Sequence, residues 1–216
     1  LDLIVIDSSD AGDAEVYAPQ HYEAIFRSVA AMLDGSTTPA WLVSHRPIWG
    51  VVRKNRGILD PGAPYGFINV TLQQALATVF PNGLPATVGA VVSGHMHRFQ
   101  ATGFDGRQPP QLVVGNGGME LTQTHPVPLP GEPKRPVAVP GLGGLTGWVV
   151  GLSDFGAMDV TLQPGGTWTS RLFSPSGATL ATCVNPYGDG RSAERILDIL
   201  QKTAVDDKLL IKNLVY

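Results

Sequence analysis

Residues 91–100 read VVSGHMHRFQ, an apolar run, a glycine and two histidines one position apart. In extended chain, side chains two apart share a face, so this spacing would turn both imidazoles to one side. Neutral imidazole nitrogen is a good ligand for Zn, Fe or Mn. A third histidine ends a second apolar run, AWLVSH, at position 45. Ligands of open α/β sheets bind beyond the carboxyl ends of the strands. His45, His95 and His97 are therefore candidate metal ligands, provided that the two strands are neighbours. The alternative is that they are polar residues in turns. Gly94 would relieve crowding where the backbone bends toward an ion. Arg46 and Arg98 each follow a candidate ligand directly; a guanidinium there could hold phosphate oxygens, and a structural salt bridge is an equal reading. His21 falls in a helical pattern and His125 at the edge of a Pro-rich stretch, so both are read as non-ligating.

The elements that must position these residues are legible from periodicity. Residues 3–7 read as a strand, and 20–34 as a helix with Tyr22, Ile25, Phe26, Val29 and Leu33 on one face, closed by Gly35. Residues 40–45 are a second strand. Residues 46–69, rich in Gly and Pro, read as an ordered loop whose Trp49, Tyr65 and Phe67 either wall a pocket or pack on the sheet. VTLQQALATVF (70–80) is a second helix, and ATVGAVVSGH and PQLVVGNGG supply two further strands. Strands alternating with helices define an α/β layered domain. Residues 124–147 show no strand or helix period and read as a long, mobile surface loop. Beyond them, WVVGLSDFGAMDVTL, GTWTSRLFSPSG and ATLATCV suggest an antiparallel meander. Residues 191–216 read as a helical appendage, begun by Ser192, of unassigned role.

Composition narrows the classes. A net charge of −3 gives no footprint for nucleic acid, and no stretch approaches the roughly 20 apolar residues that a spanning helix needs. Cys183 is the single cysteine, which excludes an internal disulfide. The opening LDLIVIDSSD reads as a strand buried on both faces, and such strands lie in the middle of sheets. A chain that opens there is expected to lack an upstream part. Asp7, Ser8 and Ser9 read as turn formers.

Taken in order, WLVSHRPIWG, AVVSGHMHRFQ, QLVVGNGG and FGAMDVTLQPGGTWTSRLFSPSGATLATC resemble the C-terminal half of the calcineurin-like metallophosphoesterases, and within them the branch of purple acid phosphatases and related exported phosphatases. The resemblance implies a four-layer α/β/β/α sandwich over residues 1–190. It implies two metal ions (Zn, Fe or Mn), with His45 and His95 on one and His97 on the other. Such ions lower the pKa of a bridging water and clamp the oxygens of a phosphate ester, here of a small molecule, during in-line attack. It favours a periplasmic or extracellular setting.

The family's other ligand patterns, D-x-H, G-D-x-x-D and G-N-H-E/D, are absent. Asp10 and Asp13 lack the required spacing, and in GNGG no histidine follows Asn116, which is expected to shape the loop beneath the site. The chain alone is therefore expected to be inactive, its missing N-terminal half lying in the same parent chain or in a separate one. The rival reading is a non-catalytic binding or assembly module with an empty or single-ion site. A zinc hydrolase of the β-lactamase-like kind expects H-x-H-x-D-H and is excluded by Phe99 and Gln100.

Overall fold

The computed structural model describes residues 1–13, 16, 18–53, 65–104, 108–118, 120–121, 137–140, 145–163 and 168–184. The appendage expected over 191–216 lies outside the described residues. The described chain runs β1 (Asp2–Ile6), α1 (Pro19–Leu33), β2 (Ala40–Ser44), β3 (Val51–Arg53), β4 (Tyr65–Phe67), α2 (Val70–Val79), β5 (Val88–Ser93), β6 (Phe99–Phe104), β7 (Gln111–Val114), β8 (Val137–Pro140), β9 (Thr146–Leu152), β10 (Ala157–Leu162), β11 (Trp168–Phe173) and β12 (Thr179–Val184). It is an α/β fold built on a mixed sheet of seven strands in the order β1-β2-β5-β7-β6-β9-β8. The first four of these pair in parallel and the rest antiparallel.

Helix α1 opens with Pro19 at its start, where a missing N–H costs nothing. Its Tyr22, Phe26, Val29 and Leu33 are buried. With Leu72, Ala75 and Leu76 of α2 they form one core with Ile6, Leu42 and Val91, on one face of the sheet. On the other face, Trp41, Ala90 and Leu112 meet Trp168, Met158 and Val160 of a separate three-stranded antiparallel sheet, β10-β11-β12. Phe99 and Leu152 extend that contact to Leu172 and Leu180. The meander expected after residue 147 is thus β10–β12, while β9 joins the seven-stranded sheet.

Three sequence expectations change. First, among the described residues β1 is the edge of its sheet and is covered on one face only. Ile6 is buried toward α1, whereas Leu3 and Val5 are 62% and 74% exposed. Leu3 stands beside Trp41 in register, and the second sheet's cover ends at Trp41. An apolar run cannot distinguish a covered face from an uncovered one. Second, the stretch expected to be structureless contributes β8, whose closing Pro140 stands on the sheet's outermost strand, where proline is tolerated. Third, β6 (FQATGF) was hidden because Gln100 and Thr102 look like surface residues but are buried. Gln100 pairs reciprocally with the backbone of Val51, its Oε1 accepting from the N–H at 3.0 Å and its Nε2 donating to the carbonyl at 2.8 Å. The same segment, 46–69, holds the short antiparallel pair β3 and β4.

Candidate functional site

Strands β2 and β5 are parallel neighbours in which Ser44 faces Ser93, their hydroxyls 2.8 Å apart. Both chains leave the sheet at the same level, so the residues that follow are brought together. The His45 and His95 rings meet edge to face, with centroids 5.1 Å apart. The Gly94 N–H donates to the His45 carbonyl at 3.1 Å.

His97 does not share this arrangement. Strand β5 ends at Ser93, and the chain then bends through a tight turn in which Met96 donates to Gly94 and Arg98 to Met96. His95 takes a left-handed backbone conformation at φ 63°. Extended-chain spacing therefore no longer applies: Met96 is buried, His97 is exposed and Arg98 is fully buried. Arg98, a candidate substrate contact, thus lies inside the fold. Desolvation pushes its guanidinium down to about 10, which leaves it charged at neutral pH.

Arg46 lies where it was expected, but its partners were not foreseen. Its Nη1 is 2.8 Å from Asp13 Oδ1 and 3.2 Å from His95 Nε2, and Asp13 Oδ2 lies 3.4 Å from the same imidazole nitrogen. Asp13 failed the family's spacing test, yet tertiary structure delivers it to the site. Asn69, fully buried with φ 66°, holds it there, donating from its backbone N–H to the Asp13 carbonyl at 2.8 Å and from Nδ2 to Oδ1 at 3.3 Å. At the end of β1, the Ser9 N–H and hydroxyl hold the Asp7 carboxyl below its ordinary value.

The segment that carries Arg46 has almost no regular structure, so side chains satisfy its backbone. Ser8 accepts from the Arg46 N–H at 2.8 Å and Ser44 donates to its carbonyl at 2.8 Å. Asn69 donates to the Pro47 carbonyl, Gln73 to that of Ile48, and Gln111 Oε1 accepts from Ile48 and Trp49. Gln111 also donates to Ser93 Oγ at 3.1 Å. Gln111→Leu would strip those donors of their partner inside the core, and is expected to cost about 2 kcal/mol in chemical denaturation. An unchanged midpoint would show that the amide is not holding the loop.

What remains is an imidazole–guanidinium–carboxylate cluster at the carboxyl end of a mixed α/β sheet. Among the described residues no group of three or more His, Cys, Asp or Glu side chains is placed to hold a metal ion. Of the three candidate ligands, His45 and His95 converge, and Arg46 engages the second of them. No protein-family profile and no curated protein matches the chain. Among solved structures it is similar to GAP50, the anchor in the inner membrane complex of Plasmodium, at 16% identity and a TM-score of 0.49. The likeness covers 95% of this chain and 58% of that one, so the chain spans less than two thirds of that protein's length.

Proposed function

We propose that this chain is the histidine-bearing part of a metal-dependent phosphoesterase with the four-layer α/β/β/α sandwich, acting on a phosphate ester of a small molecule and inactive until a further segment completes its centre. The convergence of His45 and His95, 5.1 Å apart beyond two neighbouring parallel strands, carries this reading. In it, His45 and His95 belong to one ion and His97 to the other, and the carboxylates and the second pair of Zn, Fe or Mn ligands come from that segment. Arg46 remains the candidate for the phosphate oxygens. An exported setting goes with the same reading.

The flank of the molecule supports a completing segment. Among the described residues strand β1 has no neighbour on its outer edge, and Leu1, Leu3 and Val5 are exposed along it. Strand β10, which packs against the Trp41 cluster, likewise ends its sheet, with Leu162 half exposed. Bare apolar edges of this kind are uncommon in finished folds. Val5→Lys should change the stability of this chain alone by less than about 0.5 kcal/mol, the usual range for a surface substitution. In the parent-length protein it should cost about 2 kcal/mol, because the side chain is then buried. Equal small effects in both would leave the flank without a partner.

The activity test is direct. This chain alone is expected not to hydrolyse an aryl phosphate with Zn, Mn or Fe supplied. The parent-length protein should do so, and His95→Ala should lower its rate by about a hundredfold or more. A folded parent-length protein without metal-dependent hydrolysis sinks the reading. That outcome would favour a non-catalytic module of the same fold, for which the engagement of His95 and Asp13 by Arg46 is the supporting observation.

A further inference from the structure

We propose that Arg46 is the resident cation of this cluster: its guanidinium takes the place beside Asp13 and His95 that a divalent ion would need, and an ion is admitted only when that side chain withdraws. The inference rests on the reading that His95 belongs to a cation centre, and gives that centre a closed state.

The guanidinium is placed by built contacts rather than by chance of a long side chain. Its Nε donates to the Ser9 carbonyl at 2.9 Å, and its own backbone N–H and carbonyl are fixed by Ser8 and Ser44. From there Nη1 reaches both Asp13 Oδ1 and His95 Nε2. Asp13 is in turn fixed by Asn69. The chemistry is exclusive on three counts. In the tautomer protonated at Nδ1, Nε2 accepts from Nη1–H through the lone pair it would offer a metal, and in the other tautomer Nε2 carries a proton toward Asp13 Oδ2, so neither leaves that pair open. The carboxylate beside it, the one acidic group in contact with His95 among the described residues, already has its counter-charge. The positive charge of the guanidinium repels an incoming cation at this range. Each of these would have to be undone together for an ion to bind through His95 Nε2.

Cobalt(II), whose visible absorption reports nitrogen coordination, tests this on the full chain. Wild type is expected to show no imidazole-bound band where Arg46→Gln does. The gain should be about tenfold or more in affinity, the equivalent of releasing one charged hydrogen bond of about 1.4 kcal/mol. Arg46→Gln combined with His95→Ala should lose that gain, and combined with Asp13→Asn should lose most of it. Arg46→Lys keeps a cation beside Asp13 and should bind no better than wild type. If Arg46→Gln fails to fold, the wild-type chain still decides. Under saturating Zn²⁺ its His95 imidazole resonances should stay put, and a stoichiometric complex through His95 with Arg46 in place overturns the proposal. Because these readouts use metal binding by this chain and not hydrolysis by the parent-length protein, either idea can fail while the other stands.

Discussion

Gly115→Ala is expected to lower the stability of the chain by about 3 kcal/mol or more and to scatter the histidine turn. A Cβ at this position would overlap the Met96 carbonyl oxygen and lie 2.8 Å from its carbon. Both are backbone atoms of the turn that carries His95, so no rotamer change relieves the overlap. The approach is close because Gly115 continues from the end of β7 directly under that turn, its N–H donating to the Arg98 carbonyl at 3.1 Å. Moving Met96 away breaks that bond and lifts His95 off His45 together. The measurement is chemical denaturation alongside the His45–His95 ring contact by NMR. Gly103→Ala is the control, since a Cβ there meets nothing within 4 Å, and it should be near neutral. A Gly115→Ala protein as stable as that control would mean that the turn does not rest on β7 as described.

How far the site could be read in advance follows from what each residue depends on. His45 and His95 end apolar runs, and a run that ends in a parallel strand must deliver its last residue to the sheet's carboxyl edge. That much is local, and it was legible. The fate of His97 and Arg98 depended on where β5 stops; one bend after Ser93 reverses which side chains face inward, and no period in the sequence marks it. Asp13 was invisible for a different reason. Its place comes from Asn69, far along the chain, and spacing rules report only neighbours in sequence. The same applies to Gln73, Gln100 and Gln111, which a polarity pattern assigns to the surface. They are buried because the segment after β2 has few backbone partners of its own, and an amide can supply a donor and an acceptor at once. At the level of layers, the alternation of strands and helices pointed to an α/β domain, but not to the antiparallel half of its sheet. The exposed face of β1 could not be foreseen, because it depends on what lies over the strand and not on what the strand is made of.

Trp168→Ala is expected to be the most damaging single truncation in the described core, at about 4 kcal/mol. Trp168 is almost fully buried at the start of β11 and fills the space between the two sheets. Its ring meets Trp41 of β2 edge to face at 5.4 Å, and its indole N–H donates to the Gly89 carbonyl at 3.3 Å. Ala90 and Leu112 complete the contact. Removing the ring leaves a cavity against β-strands that cannot collapse into it without breaking their own ladders, which places the cost toward the upper part of the range for large-to-small changes. Set against a typical total of about 5–15 kcal/mol, that is a large fraction of the fold's stability. The loss should also be local in character. β10–β12 should exchange amide hydrogens faster than β2 and β5, because the indole is the largest fully buried side chain joining the second sheet to the first. Trp168→Phe retains most of the volume and loses the bond to Gly89, so it should cost about 1–2 kcal/mol. If hydrogen exchange instead rises first in α1 and α2, on the opposite face, Trp168 is not what fastens the second sheet to the first.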